Sequence, residues 1–295
     1  PANEQAAKAV VEEVLPGIPV SLSSDVLPEI GEYGRASTTV ANAYVQPLID
    51  KYLGELDRTL ADKGSSAGFF VMGSNAGTLS LDVARRYPVR LVESGPAAGV
   101  AIAAHYARTL DISHLLSFDM GGTTAKIALV TDFEPARATE LEVARVKRFQ
   151  KGSGLLLKAP AVELIEIGAG GGSIARVDAL GLLSVGPESA GSSPGPACYG
   201  QGGAFATATD ADVVLGYLNP DYFLGGNMAL DMQAALDAIE KIAKPLDITP
   251  EQAAYSIFAV SNETMINAIK EITVSEGIDP SESIIVAGGG AAGLG

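Results

Sequence analysis

The chain has 295 residues, of which 35 are Asp or Glu and 20 are Lys or Arg, for a formal charge of −15; 47% of the residues are hydrophobic. That balance fits a sizeable core in one large domain or two smaller ones. It argues against a nucleic-acid binder, since no Lys/Arg cluster builds a basic face, and no apolar run reaches the roughly 18 residues of a membrane span.

One cysteine, Cys198, rules out an internal disulfide framework and suits a reducing compartment. The opening stretch "PANEQAAKAVVEEV" lacks the basic start and apolar core of a secretory signal, so cytoplasm is the expected location. Two histidines, His105 and His114, cannot build a His-rich metal site, and there is no CxxC pair for zinc.

Residues 1–15 read as a helix stopped by Pro16-Gly17, and "IPVSLSS" as a strand. Residues 36–64 have apolar residues at helical spacing, with Pro47 expected to kink or interrupt them. "GFFVMGS" reads as a buried strand, and the small-residue stretch 94–110 as a helix after Pro96. "LLSF" and "AKIALV" are strands flanking the turn "DMGGTT". "TELEVARV", "AVELIEI", "SIARVD" and "LLSVG" are further strands among glycine turns, and 186–203 is a long loop. Helices follow in "DADVVLGYL", "DMQAALDAIEKIA" and 249–277, and the strand "SIIVAGGG" comes last. The expected class is α/β, with a β-rich insertion near 132–208. The stop at Gly295, just after a strand and glycine turn, suggests a chain truncated at its C-terminus.

Three glycine-rich turns stand out: 119–124, 167–173 and 286–295. Glycines at a strand end let backbone N–H groups approach a phosphate closely. Threonine hydroxyls add donors, and an acid there can hold a water of hydrated Mg²⁺. Asp119, Gly121, Gly122, Thr123 and Thr124 therefore read either as a phosphate turn or as a tight hairpin in which Asp119 accepts turn hydrogen bonds. The P-loop pattern GxxxxGK[ST] is absent. Gly288, Gly290 and Gly293 spell GxGxxG, but the chain ends before the helix and acid that a dinucleotide site needs. Cys198 reads as a small buried residue rather than a nucleophile, and His105 as a packing or surface residue.

The order of these motifs resembles the actin-like ATPase superfamily, which implies a ribonuclease H-like α/β fold. By that resemblance Asp119, Gly121, Gly122, Thr123 and Thr124 are the second phosphate turn, and Gly288, Gly289 and Gly290 the adenosine turn. "LPGIPVSLSSDVLPEIGEYGRASTTVANAYVQP", "ESGPAAGV", "FDMGGTTAK", "EIGAGGGSIARVD", "VGPESAGSSPGPACYGQGG" and "TDADVVLGYL" are more closely similar to the hydantoinase/oxoprolinase family. The resemblance covers nearly the whole of 1–295, as the family's central domain. The family's first phosphate turn, DVGGTFTD, does not occur before residue 119, so an N-terminal phosphate-turn segment is missing from the chain, as is a C-terminal remainder. Many members carry an acid where this chain has Lys126, which faces nucleotide or substrate, or lies on a solvated strand face.

The resemblance implies an ATP- and Mg²⁺-dependent enzyme that phosphorylates the carbonyl oxygen of a cyclic amide, with ATP and Mg²⁺ as cofactors. It also allows a subunit of an acetone- or acetophenone-type carboxylase, or a non-catalytic nucleotide-binding interaction domain. Asp119 would hold a metal-bound water, and Glu93, just before the connecting helix, is a second candidate. Gly170, Gly171, Ser173 and Glu188 are the candidates near the substrate, with a structural role as turns and caps as the alternative. Glu163 and Glu166 read equally as an exposed strand face. The implied partners are a small-molecule substrate and a second hydantoinase B-like subunit or fused domain.

Overall fold

The computed structural model describes residues 1–143 and 152–294. The chain divides into two compact units, one of residues 1–102 and 135–163, the other of residues 103–134 and 164–295. The helix Ser94–Leu110 runs from the first into the second. No helix among the described residues is long and apolar enough to cross a membrane.

In the first unit, helix Ala2–Val14 ends before Pro16-Gly17, as its breakers dictate. "IPVSLSS" is not a strand. Its serines instead open the short helix Ser23–Val26, and Asn42 donates to the Ser21 hydroxyl at 3.1 Å. An alternating pattern was read where side-chain hydrogen bonds to a neighbouring helix decide the backbone.

That neighbour is the 31-residue helix Glu32–Asp62, which continues through Pro47 without interruption. Its inward face is polar. Ser37 donates to the Leu156 carbonyl at 2.6 Å, and the Thr38 hydroxyl accepts from the Lys158 N–H at 2.9 Å. The fully buried Asn42 donates to the Arg86 carbonyl at 3.2 Å and accepts from the Val89 N–H at 3.3 Å. Its apolar residues Val40, Tyr44 and Leu48 are exposed.

The strand Phe70–Met72 pairs antiparallel with Thr78–Ser80, but Phe70 is exposed and the pair is not buried as expected. A two-stranded hairpin of this length has a face that no second layer covers. Short strands Leu141–Val143 and Leu155–Leu157 close this unit's small core around Val26, Val89 and Leu157. The rest of the "TELEVARV" reading, residues 144–146, lies outside the described residues.

The second unit is built on a sheet whose strand order is Ile165–Ile167, Ala125–Thr131, His114–Met120, Ile284–Gly288. The first three run antiparallel, and Ile284–Gly288 lies parallel to His114–Met120. Leu116, Phe118, Met120, Ala125, Ile127 and Leu129 share one face, as the two-residue period requires, and pack against Met265 and Ile272 of helix Pro250–Ser275.

A second core joins the hairpin Ser173–Val177/Leu183–Ser189 to helices Ala208–Val214, Met232–Leu246 and Pro250–Ser275. The Ala208–Val214 and Pro250–Ser275 helices start at capping boxes on Thr207 and Thr249. The strand Leu183–Ser189 extends into the loop expected at 186–203, and Ala197–Tyr199 forms a 3₁₀ turn within it. The β-rich stretch 132–208 is thus divided between the two units.

The buried Asp210 organises the turn before helix Ala208–Val214. Its carboxylate accepts from the N–H groups of Ala197 (3.2 Å), Cys198 (2.7 Å) and Thr207 (2.9 Å) and from the Thr207 hydroxyl (2.8 Å). Asp210→Ala would leave those donors unsatisfied, and the expected loss of stability is about 3 kcal/mol or more, read by urea unfolding of the whole chain. Asp210→Asn, which keeps acceptor capacity on one side, is expected to lose less.

Candidate phosphate-binding site

The three glycine turns, far apart in sequence, come together in the second unit. The strand His114–Met120 ends on Met120, and Gly121 to Thr124 turn the chain into Ala125–Thr131, the Gly121 N–H donating to the Thr124 carbonyl at 3.1 Å. The turn "IGAGGGS" docks on it through backbone alone. The Gly171 N–H donates to the Gly121 carbonyl (3.1 Å), and the Gly172 N–H to the Gly122 carbonyl (2.6 Å).

A Cβ on Gly170 would stand 2.7 Å from the Thr123 carbonyl carbon and 2.9 Å from the Gly121 oxygen, so no side chain fits there. On the other side, the Ala291 N–H donates to the Met120 carbonyl at 3.0 Å. Gly289, at φ +94°, faces Asp119 so closely that a Cβ would lie 2.5 Å from Oδ1 and 2.4 Å from the Met120 oxygen.

This arrangement orients the phosphate-turn candidates. The carbonyls of Gly121 and Gly122 are engaged inward. Gly122 and Thr123 are exposed, and among the described residues their N–H groups make no hydrogen bond. Two outward N–H groups beside threonine hydroxyls are the donors that an anion site at this turn would use. Half-buried Asp119 lies at the strand end directly opposite Gly288 on one neighbour and Lys126 on the other. Lys126 is in turn opposite the exposed Glu166, so Asp119, Lys126 and Glu166 form a row of alternating charge on one sheet face.

Gly170, Gly171 and Ser173 lie behind the turn. All three are buried, and the Ser173 hydroxyl accepts from the Gly170 N–H at 2.9 Å. Glu188 is exposed and pairs with Arg176 at 2.7 Å. Gly290 has open space around its Cα. Glu93 belongs to the first unit, where its backbone sits at φ +61° and its carbonyl accepts from the Ala97 N–H.

Cys198 is fully buried, as expected, and burial, then the charge of Asp210, pushes its thiol well above the ordinary range. That favours the protonated thiol, in keeping with a small buried residue. His105 is on the surface.

Two residues that the glycine motifs did not point to hold the site from below. Thr209 donates its N–H (2.8 Å) and its hydroxyl (2.7 Å) to the Gly171 carbonyl. Ser189 donates to the Gly122 carbonyl at 3.4 Å. The Thr-x-x-Asp spacing of Thr207 and Asp210 is the sequence signal that locates the helix presenting Thr209. One turn further on, Asp212 is buried, and desolvation pushes its carboxyl up to about 7.

The hydantoinase/oxoprolinase family model matches residues 35–294, and the chain belongs to this family. It is 38% identical to the caprolactamase alpha subunit of Pseudomonas jessenii, over all of this chain and 41% of that one. That enzyme's crystal structure, described as ATP-dependent caprolactamase, matches the fold at a TM-score of 0.74. The chain is 37% identical to the acetophenone carboxylase gamma subunit of Aromatoleum aromaticum, over 99% of this chain and 39% of that one. The nucleotide-free structure of acetone carboxylase, from work on ATP-dependent acetone carboxylation, matches at a TM-score of 0.82 and 30% identity, over all of this chain and 41% of that one. The chain thus spans less than half the length of these relatives.

Two predictions follow from the packing. Gly289→Ala places a methyl group on Asp119 and forces a strained φ, so the expected result is a stability loss of more than about 1 kcal/mol in thermal unfolding. For Asp212, the folded carboxyl titrates near 7 and the unfolded one near 3.8, so the native state holds the extra proton between those values. Stability from this group is present below the lower value and is lost as pH rises through the upper one. Asp212→Asn is therefore expected to gain on the parent between pH 5 and pH 8, by an order of a few kcal/mol, in melts taken across that range.

Proposed function

We propose that the chain is the nucleotide-phosphate-binding part of an ATP-dependent enzyme that activates a carbonyl oxygen, with a cyclic amide as substrate. The observation that carries this reading is the pair of outward N–H groups on Gly122 and Thr123 beside the Asp119 carboxylate. The family relation to an ATP-dependent caprolactamase supports it.

The residues fit the cofactors. The N–H groups and the threonine hydroxyls are a phosphate donor set. A single carboxylate, with no cluster of three or more metal-ligating side chains among the described residues, suits Mg²⁺, which keeps most of its waters. Bound ATP supplies the phosphoryl group that makes an amide oxygen a leaving group.

In this reading the fold is actin-like. Gly122, Thr123 and Thr124 hold phosphate oxygens, and Asp119 orients a metal-bound water. Gly288, Gly289 and Gly290 border the adenosine. Gly170, Gly171 and Ser173 keep the phosphate turn in shape toward the substrate side, and Glu188 is a substrate candidate at the rim. Phosphoryl transfer depends mainly on such positioning and charge neutralisation. The relatives named as subunits support a partner subunit or fused domain.

A carboxylase subunit is the second reading, favoured by the TM-score of 0.82 to acetone carboxylase. ATP turnover by the full-length protein with its partner separates the two. Stimulation by lactams without bicarbonate supports the hydrolase, and a requirement for bicarbonate with a ketone supports the carboxylase. For the site itself, Asp119→Ala is expected to weaken Mg²⁺·ADP binding about tenfold or more in calorimetric titration. Unchanged affinity would remove Asp119 and its turn from the nucleotide site.

A further inference from the structure

The first unit holds a separate constellation around Glu4. The helix that carries it, Ala2–Val14, has no buried residue. Its carboxylate nevertheless reaches into a polar cradle. It accepts from the Ser23 hydroxyl, from the Ser24 N–H at 3.0 Å and from Arg35 Nη2 at 3.3 Å. Arg35 Nη2 also donates to the Ser23 oxygen, which fixes the guanidinium against the serine. The Ser23 hydroxyl first, and Ser24 next, hold the Glu4 carboxyl down to about 2, so this surrounding favours a negative charge.

Glu4 fills the cradle incompletely. Arg35 Nε is shielded from solvent and has no hydrogen-bond partner. A guanidinium meets a carboxylate best side-on, through two parallel N–H bonds. Glu4 takes one arm of that fork, at 3.3 Å, and leaves Nε idle. Its approach is set by the helix that carries it, whereas a free carboxylate can turn to engage Nε and Nη2 together. A purely structural tie has no use for a buried guanidinium donor left empty, because it carries an uncompensated desolvation cost.

We propose that Ser23, Ser24 and Arg35 form a carboxylate-binding site in the first unit, where Glu4 stands in for the carboxylate of a small-molecule ligand. Neither the glycine turns nor the reading of the protein as an ATP-dependent enzyme enters this argument.

The test is chemical rescue on the whole chain. Glu4→Ala empties the cradle on an exposed helix, where the substitution leaves the packing intact. Thermal unfolding is followed while sodium acetate, sodium phosphate or sodium chloride is titrated at matched ionic strength. Acetate is expected to raise the midpoint of Glu4→Ala saturably, where chloride does not. The parent chain should need about tenfold more acetate, since Glu4 competes. Adding Arg35→Lys, which keeps the charge and loses the fork, should weaken the response about tenfold, and Ser24→Ala should weaken it less. Equal responses to acetate and chloride overturn the proposal. So does a phosphate response as large as that of acetate, or an Arg35→Lys and Ser24→Ala pair that both respond like Glu4→Ala alone.

Discussion

The second unit depends on one backbone contact: the N–H groups of Gly171 and Gly172 donating to the carbonyls of Gly121 and Gly122. A turn built on two glycines gives its peptide groups little steric reason to choose an orientation. Engaging its carbonyls from one side settles the choice and leaves the N–H groups of Gly122 and Thr123 facing out. The contact is closer than any side chain permits, as the 2.7 Å clash of a Cβ on Gly170 shows. The orientation of this turn is therefore a consequence of glycine chemistry in a different turn, about 50 residues away.

Support for that contact runs in series. Asp210 fixes Thr207 and the 197–198 turn, and the helix so started presents Thr209 to the Gly171 carbonyl. Gly171 then holds Gly121. Each link is a hydrogen bond with a buried partner, so loss of one leaves a desolvated group rather than a solvated one. Asp212 sits on the same short helix and is held in its neutral form by burial near neutrality. An unpaired acid so placed costs stability that a neutral residue would not, the kind of local inconsistency that marks functional regions.

Much of the fold was legible in the sequence because its signals are local. Helices at Ala2–Val14, Ser94–Leu110, Met232–Leu246 and Pro250–Ser275 follow from period, proline and glycine stops, and Thr or Asp caps. The strands flanking "DMGGTT" follow from short apolar runs on either side of a glycine turn. The errors fall where distant partners decide. "IPVSLSS" alternates like a strand, yet its serines answer to Glu4, Arg35 and Asn42. Helix Glu32–Asp62 reads as amphipathic, yet it turns Ser37, Thr38 and Asn42 inward and Tyr44 and Leu48 outward, because its neighbours offer backbone carbonyls and amides to that stretch beside the small apolar core that Ala41 packs against. Each glycine turn could be named from the sequence, but their convergence could not. Nothing local to residues 167–173 says that their N–H groups point at residues 121 and 122.

Charge poses the remaining question. A chain at −15 repels a polyphosphate at long range, and a site built from arginines and lysines would be the simple remedy. Apart from Lys126 opposite Asp119, the candidate site uses neither. Its donors are backbone dipoles a few ångströms from where an anion would lie, while the chain's surplus carboxylates are spread over its surface and are screened within about 8 Å at physiological salt. At contact distance, oriented N–H groups outweigh that diluted field. On the proposed reading, Asp119 can stand beside an anion because a divalent cation would make carboxylate and phosphate ligands of one charge rather than rivals. On that reading, such a site would admit the anion together with its metal, and that selectivity would come from the single carboxylate which at first sight opposes binding.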